Sequence, residues 1–366
     1  MEGQRLYSRI EVNMKEFKGY NLIEKANILK EYKNENLLYV DNKIVLKDDA
    51  TEGYLESCEI ETNEFDIACG SWACVTPKDS SVELLVRVYA DGAWSKYLSY
   101  GTWELYKDNY YYDDKDDVAW INVDEIIVRN EKKATKVQYK VVLKKNGQES
   151  PRLSLVCITL RLQSVNSLEL MQPLKEVKDV HLLPETVEYP VPRLNQNMVP
   201  VIGGEMCSAT TTTMLLKYRG LDFADLAKTY SKVNEWGEFE HSYVATLVAD
   251  PGHNAPTFGN WVYNTAVMGA FGFDAYVARM YSWEELKYHL AKVGPVGASI
   301  KGDTGVYKTG GHLLVVVGYK TVDGKEYVIC NDPNINSRFG EGLFVRYEYP
   351  LDVFKKFWRG VAYIIE

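Results

Sequence analysis

The spacing of apolar residues along the chain changes near its middle. Up to about Gln163, apolar and polar residues mostly alternate, and this period of two is typical of half-buried β-strands. The clearest alternating runs are Val82–Tyr89, Ala119–Val123, Val137–Leu143 and Leu153–Leu162. Asp91-Gly92 and Asn146-Gly147 separate such runs with residues that favour tight turns. Short strands joined by tight turns predict an N-terminal all-β sandwich or jelly roll.

A proline-rich connection follows, between Ser164 and Val191. Proline lacks a backbone donor and disfavours helix in the residue before it, so this stretch does not read as a helix. We therefore predict a domain boundary near Pro184. Residues 1–183 are expected to hold the β-sandwich, as an accessory domain, together with the connecting segment, and residues 184–366 a second domain.

The second domain shows helical spacing first and strand-like runs afterwards. Capping residues mark where helices begin, and glycines mark where they end. Four helices are predicted: Cys207–Arg219 before Gly220, a second capped by Asp222, Trp261–Phe271 before Gly272, and one that begins with the capping box Ser282–Glu285. The apolar stripe of the first helix consists of Met206, Ala209, Thr213 and Leu216. The predicted strands are Val296–Ile300, Leu313–Tyr319, Glu326–Cys330, Leu343–Tyr347 and Val361–Ile365. A helical lobe followed by an antiparallel sheet is an α+β domain.

Composition narrows the classes of function. The 366 residues are 46% hydrophobic and 25% charged, which excludes a mostly disordered chain. No apolar stretch approaches the length of a membrane span, and a net charge of −9 without a basic run argues against a nucleic-acid partner. The first residues, Met1 to Arg9, carry no apolar signal core. The expected compartment is the cytoplasm if the chain is native, and the cell surface or exterior if a signal segment has been removed.

The six cysteines do not form a disulfide framework or the short paired spacings of a zinc site. Cys207 is the one placed for chemistry, because it begins a predicted helix. Free N–H groups and the helix dipole at a helix N-terminus favour the thiolate, which is the nucleophilic form. No metal or organic cofactor is needed for such chemistry.

A histidine and an acidic residue follow on neighbouring strands. His312 comes after Gly310-Gly311 and begins an apolar strand, where it can act as a general base and acid. Asp332 ends the next strand and can hold the imidazole in one tautomer. A tight turn at Asp323-Gly324 would place Asp332 opposite Val315, about 10 Å along the strand from the histidine.

We therefore expect a bulge, or a longer loop at Lys320 to Gly324, to restore the alignment of Asp332 with His312. Asn331 is the alternative partner of the histidine, and only one of these two neighbours can face it. Gln196 is the fourth candidate, because its side-chain amide can join the backbone N–H of Cys207 in holding an oxyanion.

Glycines flank both reactive residues: Gly203 and Gly204 precede the cysteine, and Gly310 and Gly311 precede the histidine. They serve either as turn formers with positive φ or as open positions that let an extended peptide approach. The second role predicts a preference for small substrate residues beside the scissile bond.

Two further clusters have weaker chemical meaning. Asp113, Asp114, Asp116 and Asp117 do not fit a calcium loop and are expected to be a solvated loop. Trp94, Tyr97, Tyr100 and Trp103 are either packing residues of the sandwich or a platform for sugar rings. The second interpretation gives the N-terminal domain a glycan or cell-wall ligand. We expect His181, His241, His253 and His289 to be surface or packing residues.

Residues from about Tyr189 to Glu366 resemble papain-fold cysteine peptidases, and more closely the relatives of the double-glycine leader peptidases, family thirty-nine of the cysteine class. The matching segments are Val191–Gln196, Met206–Thr212, Gly259–Trp261, Gly311–Tyr319 and Asn331–Pro333. The resemblance implies Cys207 as nucleophile, His312 as base, Asp332 as orienter and Gln196 as oxyanion donor. Ser208 stands where leader peptidases often have glycine, and transporter and ATP-binding segments are not found, so leader processing during export is not expected.

The predicted function is hydrolysis of peptide bonds through a thioester, with a peptide or protein as substrate. Two alternatives stay open at this point. An acyltransferase or amidase would use the same residues with a different final acceptor. A glycan- or peptide-binding protein would carry them as a vestigial site.

Overall fold

A computed structural model of the chain describes residues 14–110, 113–171, 176–229, 235–250, 257–334 and 345–366. The first part of the chain consists almost entirely of strands. They are β1 (Lys15–Phe17), β2 (Asn21–Lys25), β3 (Lys33–Glu35), β4 (Leu37–Val40), β5 (Lys43–Leu46), β6 (Glu52–Glu56), β7 (Ile60–Phe65), β8 (Ile67–Val75), β9 (Ser80–Ala90), β10 (Ala93–Trp94), β11 (Leu98–Trp103), β12 (Ala119–Asn122), β13 (Glu125–Val128), β14 (Ala134–Lys145) and β15 (Arg152–Arg161). A four-residue helix, α1 (Ala26–Leu29), follows β2.

These strands form two sheets that share one hydrophobic core. The eight-stranded sheet has the order β1-β7-β14-β6-β3, and β9 joins β14 and pairs with β10 and β11. The seven-stranded sheet has the order β12-β13-β8-β15-β5-β4, with β2 beside β15. Alternate residues of β9, such as Val82 and Leu84, are buried with Trp72 and Val156 of the other sheet. The period of two in the sequence therefore gives two apolar faces packed against each other, as predicted for this part of the chain.

The second part brings in helices and a third sheet. The helices are α2 (Cys207–Tyr218), α3 (Ala224–Thr229), α4 (Glu240–Val248), α5 (Trp261–Ala270), α6 (Trp283–Lys292) and α7 (Leu351–Phe357). The strands are β16 (Thr186–Glu188), β17 (Ala275–Arg279), β18 (Val296–Asp303), β19 (Lys308–Val322), β20 (Lys325–Asn331), β21 (Arg346–Pro350) and β22 (Trp358–Ile365). This sheet is antiparallel, with the order β17-β22-β18-β19-β20-β21 and β16 beside β19. Short 3-10 helices occupy Leu168–Leu170, Val180–Leu182 and Gln196–Met198.

The predicted helix ends are confirmed by their backbone geometry. Gly220 and Gly272 follow α2 and α5 with φ of +88° and +95°, a left-handed conformation that glycine adopts without strain. The Ser282 hydroxyl accepts a hydrogen bond from the backbone N–H of Glu285 at 3.1 Å and so caps α6. Asp222 accepts from the backbone N–H of Ala224 at 2.9 Å at the start of α3.

Other predictions were wrong in position or missed an element. The strand expected at Leu343–Tyr347 is β21, Arg346–Pro350, and residues 343 and 344 lie outside the described residues. Helices α4 and α7 and strand β17 were not predicted. The apolar stripe on α2 was also wrong, because the helix is buried on all sides from Ser208 to Leu216. Threonines 210 and 213 satisfy their buried hydroxyls within the helix, by hydrogen bonds to the carbonyls of Met206 and Ala209.

The N-terminal sheets and α2 are connected through α5. Gly269 of α5 lies so close to β8 that a Cβ there would come within 2.7 Å of the Ala73 Cα. The side chain of Asp124, from the turn between β12 and β13, accepts a hydrogen bond from the backbone N–H of Trp261 at 2.7 Å. On the other side of α5, Asn264 accepts a hydrogen bond from Thr212 of α2 at 2.9 Å. The N-terminal sheet therefore supports the helix that supports α2.

Within the ranges that the structure describes, no helix has both the length and the apolarity needed to cross a membrane.

Candidate active site

Cys207 is the first residue of α2. Met206 precedes it at the N-cap position without a side-chain cap, and no acidic residue lies in the first turn. The backbone N–H groups at this end therefore keep their partial positive charge for the cysteine sulfur. The side chain of Cys207 is half-buried, so it is anchored in the fold and still accessible.

His312 lies on β19, opposite Ile300 of β18. The side chain is 5% exposed, and its Nε2 lies 2.8 Å from Oδ1 of Asp332, whose side chain has no exposed surface. The other ring nitrogen, Nδ1, is left for Cys207. This imidazole lowers the pKa of the Cys207 thiol, and the thiolate raises the pKa of the imidazole in turn. The structure thus brings together the three residues that the sequence placed on separate elements.

A bulge in β19 decides which residue of the next strand meets the histidine. Val316 pairs with Cys330 and Gly318 with Ile329, so Val317 is an extra residue in β19. The turn at Asp323-Gly324 is tight, with positive φ at both residues. The predicted bulge therefore exists, but it lies at Val317 and not in a longer loop at Lys320 to Gly324.

The effect of the bulge is to change which face of the sheet each neighbour occupies. Val315 pairs with Asn331, so Asp332 falls opposite Leu314, on the face that carries His312. Without the extra residue Asp332 would lie opposite Val315, and a one-residue slip sends every side chain to the other face. Asn331 instead donates a hydrogen bond to the carbonyl of Val191 at 3.0 Å. The alternative that gave the histidine to Asn331 does not fit this geometry.

Four donors hold the carboxylate of Asp332. Besides His312, they are the backbone N–H of Asn334 at 3.0 Å and the hydroxyls of Tyr307 and Tyr349 at 2.6 and 3.3 Å. The ring of Tyr307 also meets the ring of His312 edge to face, with centroids 5.8 Å apart. The sequence analysis missed both tyrosines. Tyr349 lies on β21 and Tyr307 in the loop before β19, and no local pattern connects either to Asp332.

The charges of the three residues reinforce one another. Burial alone raises the pKa of the Cys207 thiol, but the charge of His312 and hydrogen bonds from its ring and from backbone groups lower it below its ordinary value. Burial lowers the pKa of His312, yet the carboxylate of Asp332 and the thiolate raise it by more. The pKa of Asp332 is lowered by His312 and its hydrogen bonds, against the effect of burial. A thiolate–imidazolium pair beside an ionised carboxylate is therefore the favoured state.

The other five cysteines have the opposite electrostatic setting. Burial is the largest cause of a raised pKa at Cys58, Cys69, Cys74, Cys157 and Cys330. Cys58 is half-buried like Cys207 but lies near the carboxylate of Glu24, which also raises its pKa. Cys207 is thus distinguished by its partners more than by its exposure.

Gln196 is buried beside the loop that leads to Cys207. Its Nε2 donates to the carbonyl of Gly203 at 2.7 Å, and its backbone N–H donates to the carbonyl of Pro333 at 3.0 Å. The second bond ties Gln196 to the residue that follows Asp332. Its Oε1 is buried and has no hydrogen-bond partner among the described residues. The side-chain amide has two N–H donors, and the bond to Gly203 uses one of them, so the other can bind a further acceptor.

The four flanking glycines do not act as turn formers with positive φ, because φ at each lies outside the left-handed region. A Cβ at Gly203 would come within 2.6 Å of the carbonyl oxygens of Val199 and Gln196, so this position needs glycine for packing. Gly204, Gly310 and Gly311 are exposed, and a Cβ there would meet nothing within 4 Å. Three positions beside the cysteine and histidine are therefore open.

The weaker clusters take structural roles where they are described. Asp116 accepts hydrogen bonds from the backbone N–H groups of Lys96, Val118 and Ala119, and Asp114 pairs with the Lys96 side chain. Among the residues covered by the structure, no group of three His, Cys, Asp or Glu side chains could hold a metal ion.

The proposed sugar platform does not form as one surface. Tyr100 and Trp103 are buried in the core, and only Trp94 and Tyr97 keep some exposure. The guanidinium of Arg87 lies over both remaining rings, at 4.6 and 5.0 Å from their centroids. A glycan ligand of the N-terminal domain stays a prediction.

The histidines that we expected to be surface or packing residues differ in their exposure. His181 is exposed, His289 is half-buried, and His241 is 4% exposed. His253 lies outside the described residues.

Comparison with known proteins gives matches in both parts of the chain. The model of the peptidase C39-like family matches residues 188–364, and that of the peptidase C39 N-terminal domain matches residues 39–160. No curated protein matches the chain.

Solved structures match about half of the chain at low similarity. A protein of Bacillus anthracis named as a C39-like peptidase is 17% identical, over 50% of this chain and 98% of its own, with a TM-score of 0.30. Digestive procathepsin L 3 of the Tenebrio molitor larval midgut is 16% identical, over 55% of this chain and 75% of its own, with a TM-score of 0.31. A procathepsin B of Trypanosoma congolense is 13% identical, over 54% and 83%, with a TM-score of 0.28. These likenesses are weak, with TM-scores of 0.28 to 0.31.

Proposed function

Because the chain belongs to the C39-like family of cysteine peptidases, we propose that Cys207, His312 and Asp332 are the catalytic residues of this cysteine-type peptidase. In this proposal residues 184–366 form a papain-like α+β domain. Residues 1–183 contain an all-β accessory domain of the sandwich type, whose sheet supports α5. The observation that carries the proposal is the arrangement of His312, with Nε2 on the buried Asp332 and Nδ1 left for the cysteine.

The reaction begins with the thiolate of Cys207. It attacks the carbonyl carbon of the scissile peptide bond, and the carbonyl oxygen becomes an oxyanion. The imidazolium of His312 gives its Nδ1 proton to the leaving amine as the C–N bond breaks, which leaves a thioester on the sulfur. The neutral imidazole then takes a proton from water, the hydroxide attacks the thioester, and the acid product leaves with the thiolate restored.

Asp332 acts throughout by holding the ring. Its carboxylate accepts the Nε2–H of His312, so the proton that moves is always the one on Nδ1. It also stabilises the imidazolium without taking its proton, because four hydrogen bonds and the imidazolium charge keep the carboxylate ionised.

The oxyanion would be held by the backbone N–H of Cys207 and the side-chain amide of Gln196. The bond from the amide to Gly203 keeps Gln196 on the loop that leads to the nucleophile. Its second N–H is then available where negative charge develops, and one such donor typically contributes about 100-fold or more to turnover.

Turnover of a peptide library by the whole chain tests the proposal, with fragments detected by mass spectrometry. Wild-type protein should cleave peptides, and Cys207→Ala should abolish cleavage. Cys58→Ala is the matched control, and it should leave cleavage intact. Cys58 is also half-buried, but the charge that acts on it is the carboxylate of Glu24, which raises the pKa of its thiol. Cleavage that survives Cys207→Ala would overturn the proposal, and so would transfer of the acyl group to added amines without any hydrolysis.

A further inference from the structure

We propose that Tyr307 is a positioning residue of this site, whose hydroxyl fixes the Asp332 carboxylate in the orientation that binds His312. The inference rests on the catalytic roles proposed above for the cysteine, histidine and aspartate. It adds to these three, and to Gln196, a side chain that the sequence pattern does not reveal.

The two oxygens of the carboxylate are held separately. Oδ1 accepts from His312 at 2.8 Å and from the backbone N–H of Asn334 at 3.0 Å, while Oδ2 accepts from Tyr307 at 2.6 Å. A hydroxyl bond to a charged oxygen at this distance is short and strong. Because each oxygen has its own donors, the carboxylate cannot rotate about its bond without breaking one of them. Oδ1 therefore stays directed at Nε2 of the imidazole.

The ring of Tyr307 provides a second contact with the same unit. It lies edge to face with the imidazole, with an interplanar angle of 84° and centroids 5.8 Å apart. One side chain thus contacts both members of the His312–Asp332 pair. The other tyrosine on the carboxylate, Tyr349, makes a longer bond of 3.3 Å to Oδ2.

Hydrogen bonds within the loop between β18 and β19 hold the backbone of Tyr307 in place. The buried Thr304 accepts a hydrogen bond from the backbone N–H of Tyr307 at 3.0 Å, and its own backbone N–H donates to the Tyr307 carbonyl at 3.0 Å. Gly302 and Gly305 have φ of +118° and +83°, and these positive values, which glycine adopts without strain, allow the tight turn of this loop. The loop therefore holds Tyr307 from its backbone, independently of the carboxylate.

Loss of the hydroxyl should have two consequences. The carboxylate gains freedom to rotate, so the imidazole is oriented less well and kcat falls. The carboxylate also loses a donor that disperses its charge, so it acts more strongly on its neighbours. A stronger negative potential raises the pKa of both the imidazolium and the thiol. Both limbs of the pH profile should then move to higher pH.

The test is the pH profile of kcat/KM for wild type and Tyr307→Phe, on a peptide taken from the library. We expect kcat to fall about 10-fold and both limbs to move up by about half a pH unit. Tyr349→Phe should move the limbs in the same direction by less. Tyr319→Phe is the matched control, because it removes a buried hydroxyl on β19 that donates to the carbonyl of Pro184 at 2.9 Å and does not touch the site. It should leave the profile unchanged.

The rate of Cys207 alkylation against pH reports the same shift without substrate, and thermal unfolding shows whether each variant is folded. A folded Tyr307→Phe protein with the wild-type profiles would overturn the inference, and so would an equal shift in Tyr319→Phe. Failure of the proposed function is distinct from both, because it would appear as cleavage by Cys207→Ala.

Discussion

Asp332→Asn tests the electrostatics of the site most sharply. The amide has the shape of the carboxylate, so Oδ1 can still accept the Nε2–H of His312. The change removes the negative charge beside a ring whose pKa that charge raises, and it replaces Oδ2, which accepts from Tyr307 and Tyr349, with an amide nitrogen that donates. The imidazolium therefore becomes less stable, and its pKa falls. Since the imidazolium supplies the proton to the leaving amine, activity should be lost at a lower pH than in wild type.

The size of the shift follows from the geometry. With Nε2 and Oδ1 2.8 Å apart, the centres of the two charges are about 4 Å apart, and at an effective dielectric constant of about 20 they attract by about 4 kcal/mol. That energy equals about three pH units. Two tyrosine hydroxyls and a backbone N–H already share the charge of the carboxylate, so the net change is smaller. We expect the alkaline limb of the kcat/KM profile to move down by about 1.5 pH units.

The assay is peptide turnover from pH 5 to 10, with Asn331→Ser as the matched control. Asn331 is the neighbour of Asp332, but its amide donates to the carbonyl of Val191 on the opposite face of the sheet, so its loss should not move either limb. An alkaline limb that stays in place in Asp332→Asn would refute the reasoning. A limb that moves in Asn331→Ser and not in Asp332→Asn would assign the role to the asparagine.

Two further predictions concern the cleft and the domain contact. Gly311→Val adds a side chain at an exposed position where a Cβ meets nothing within 4 Å, so peptide turnover should fall while alkylation of Cys207 by a small reagent is unchanged. A parallel fall in both rates would show that Gly311 holds the backbone of the site. No change in either rate would contradict the predicted preference for small substrate residues. Burial is the main cause that raises the pKa of Asp124 from its ordinary 3.8 to about 7, so the stability that its protonated form contributes is present below pH 4 and lost as pH rises to 7. Asp124→Asn keeps an acceptor for the backbone N–H of Trp261. The full pKa shift corresponds to about 4 kcal/mol, and we halve it because part of the side chain remains in water. In urea unfolding, the free energy of unfolding of Asp124→Asn should therefore rise by about 2 kcal/mol relative to wild type between pH 4 and pH 8. A difference between the two proteins that is constant with pH would contradict this assignment.

Local features of the sequence identify the cysteine and the histidine. Cys207 stands at a helix start and His312 near the start of an apolar run, and both positions follow from short-range patterns. The choice between Asp332 and Asn331 depends on the extra residue at Val317. Gly318 follows it directly, and a glycine inside a strand indicates either a bulge or a close backbone approach, which Gly318 also makes with Val187, so this signal alone does not fix the register. A register that depends on one bulge is not readable from alternation, because both registers satisfy the same apolar pattern.

Contacts between distant segments escape sequence reasoning for a related reason. Tyr307 and Tyr349 reach Asp332 from two different elements, and among 27 tyrosines nothing singles them out. The close approach of α5 to β8 depends on Gly269, which in the sequence is one small residue in a helical run. Burial of α2 on every side likewise results from elements that lie far away in the sequence, namely α4, α5, β18 and β19, so the sequence predicted a one-sided stripe on a helix that is central in the fold.

Alkylation by iodoacetamide at pH 6 tests the central claim most directly, with labelled cysteines identified by mass spectrometry before the reaction is complete. A thiolate stabilised by a helix N-terminus and an imidazolium remains reactive at this pH, whereas ordinary thiols are protonated. Cys207 should be labelled first among the six cysteines, and His312→Ala should remove its advantage. The half-buried Cys58 is the internal reference. Labelling of Cys207 at the rate of Cys58, or labelling that is unaffected by His312→Ala, would contradict the assignment of Cys207 as the nucleophile.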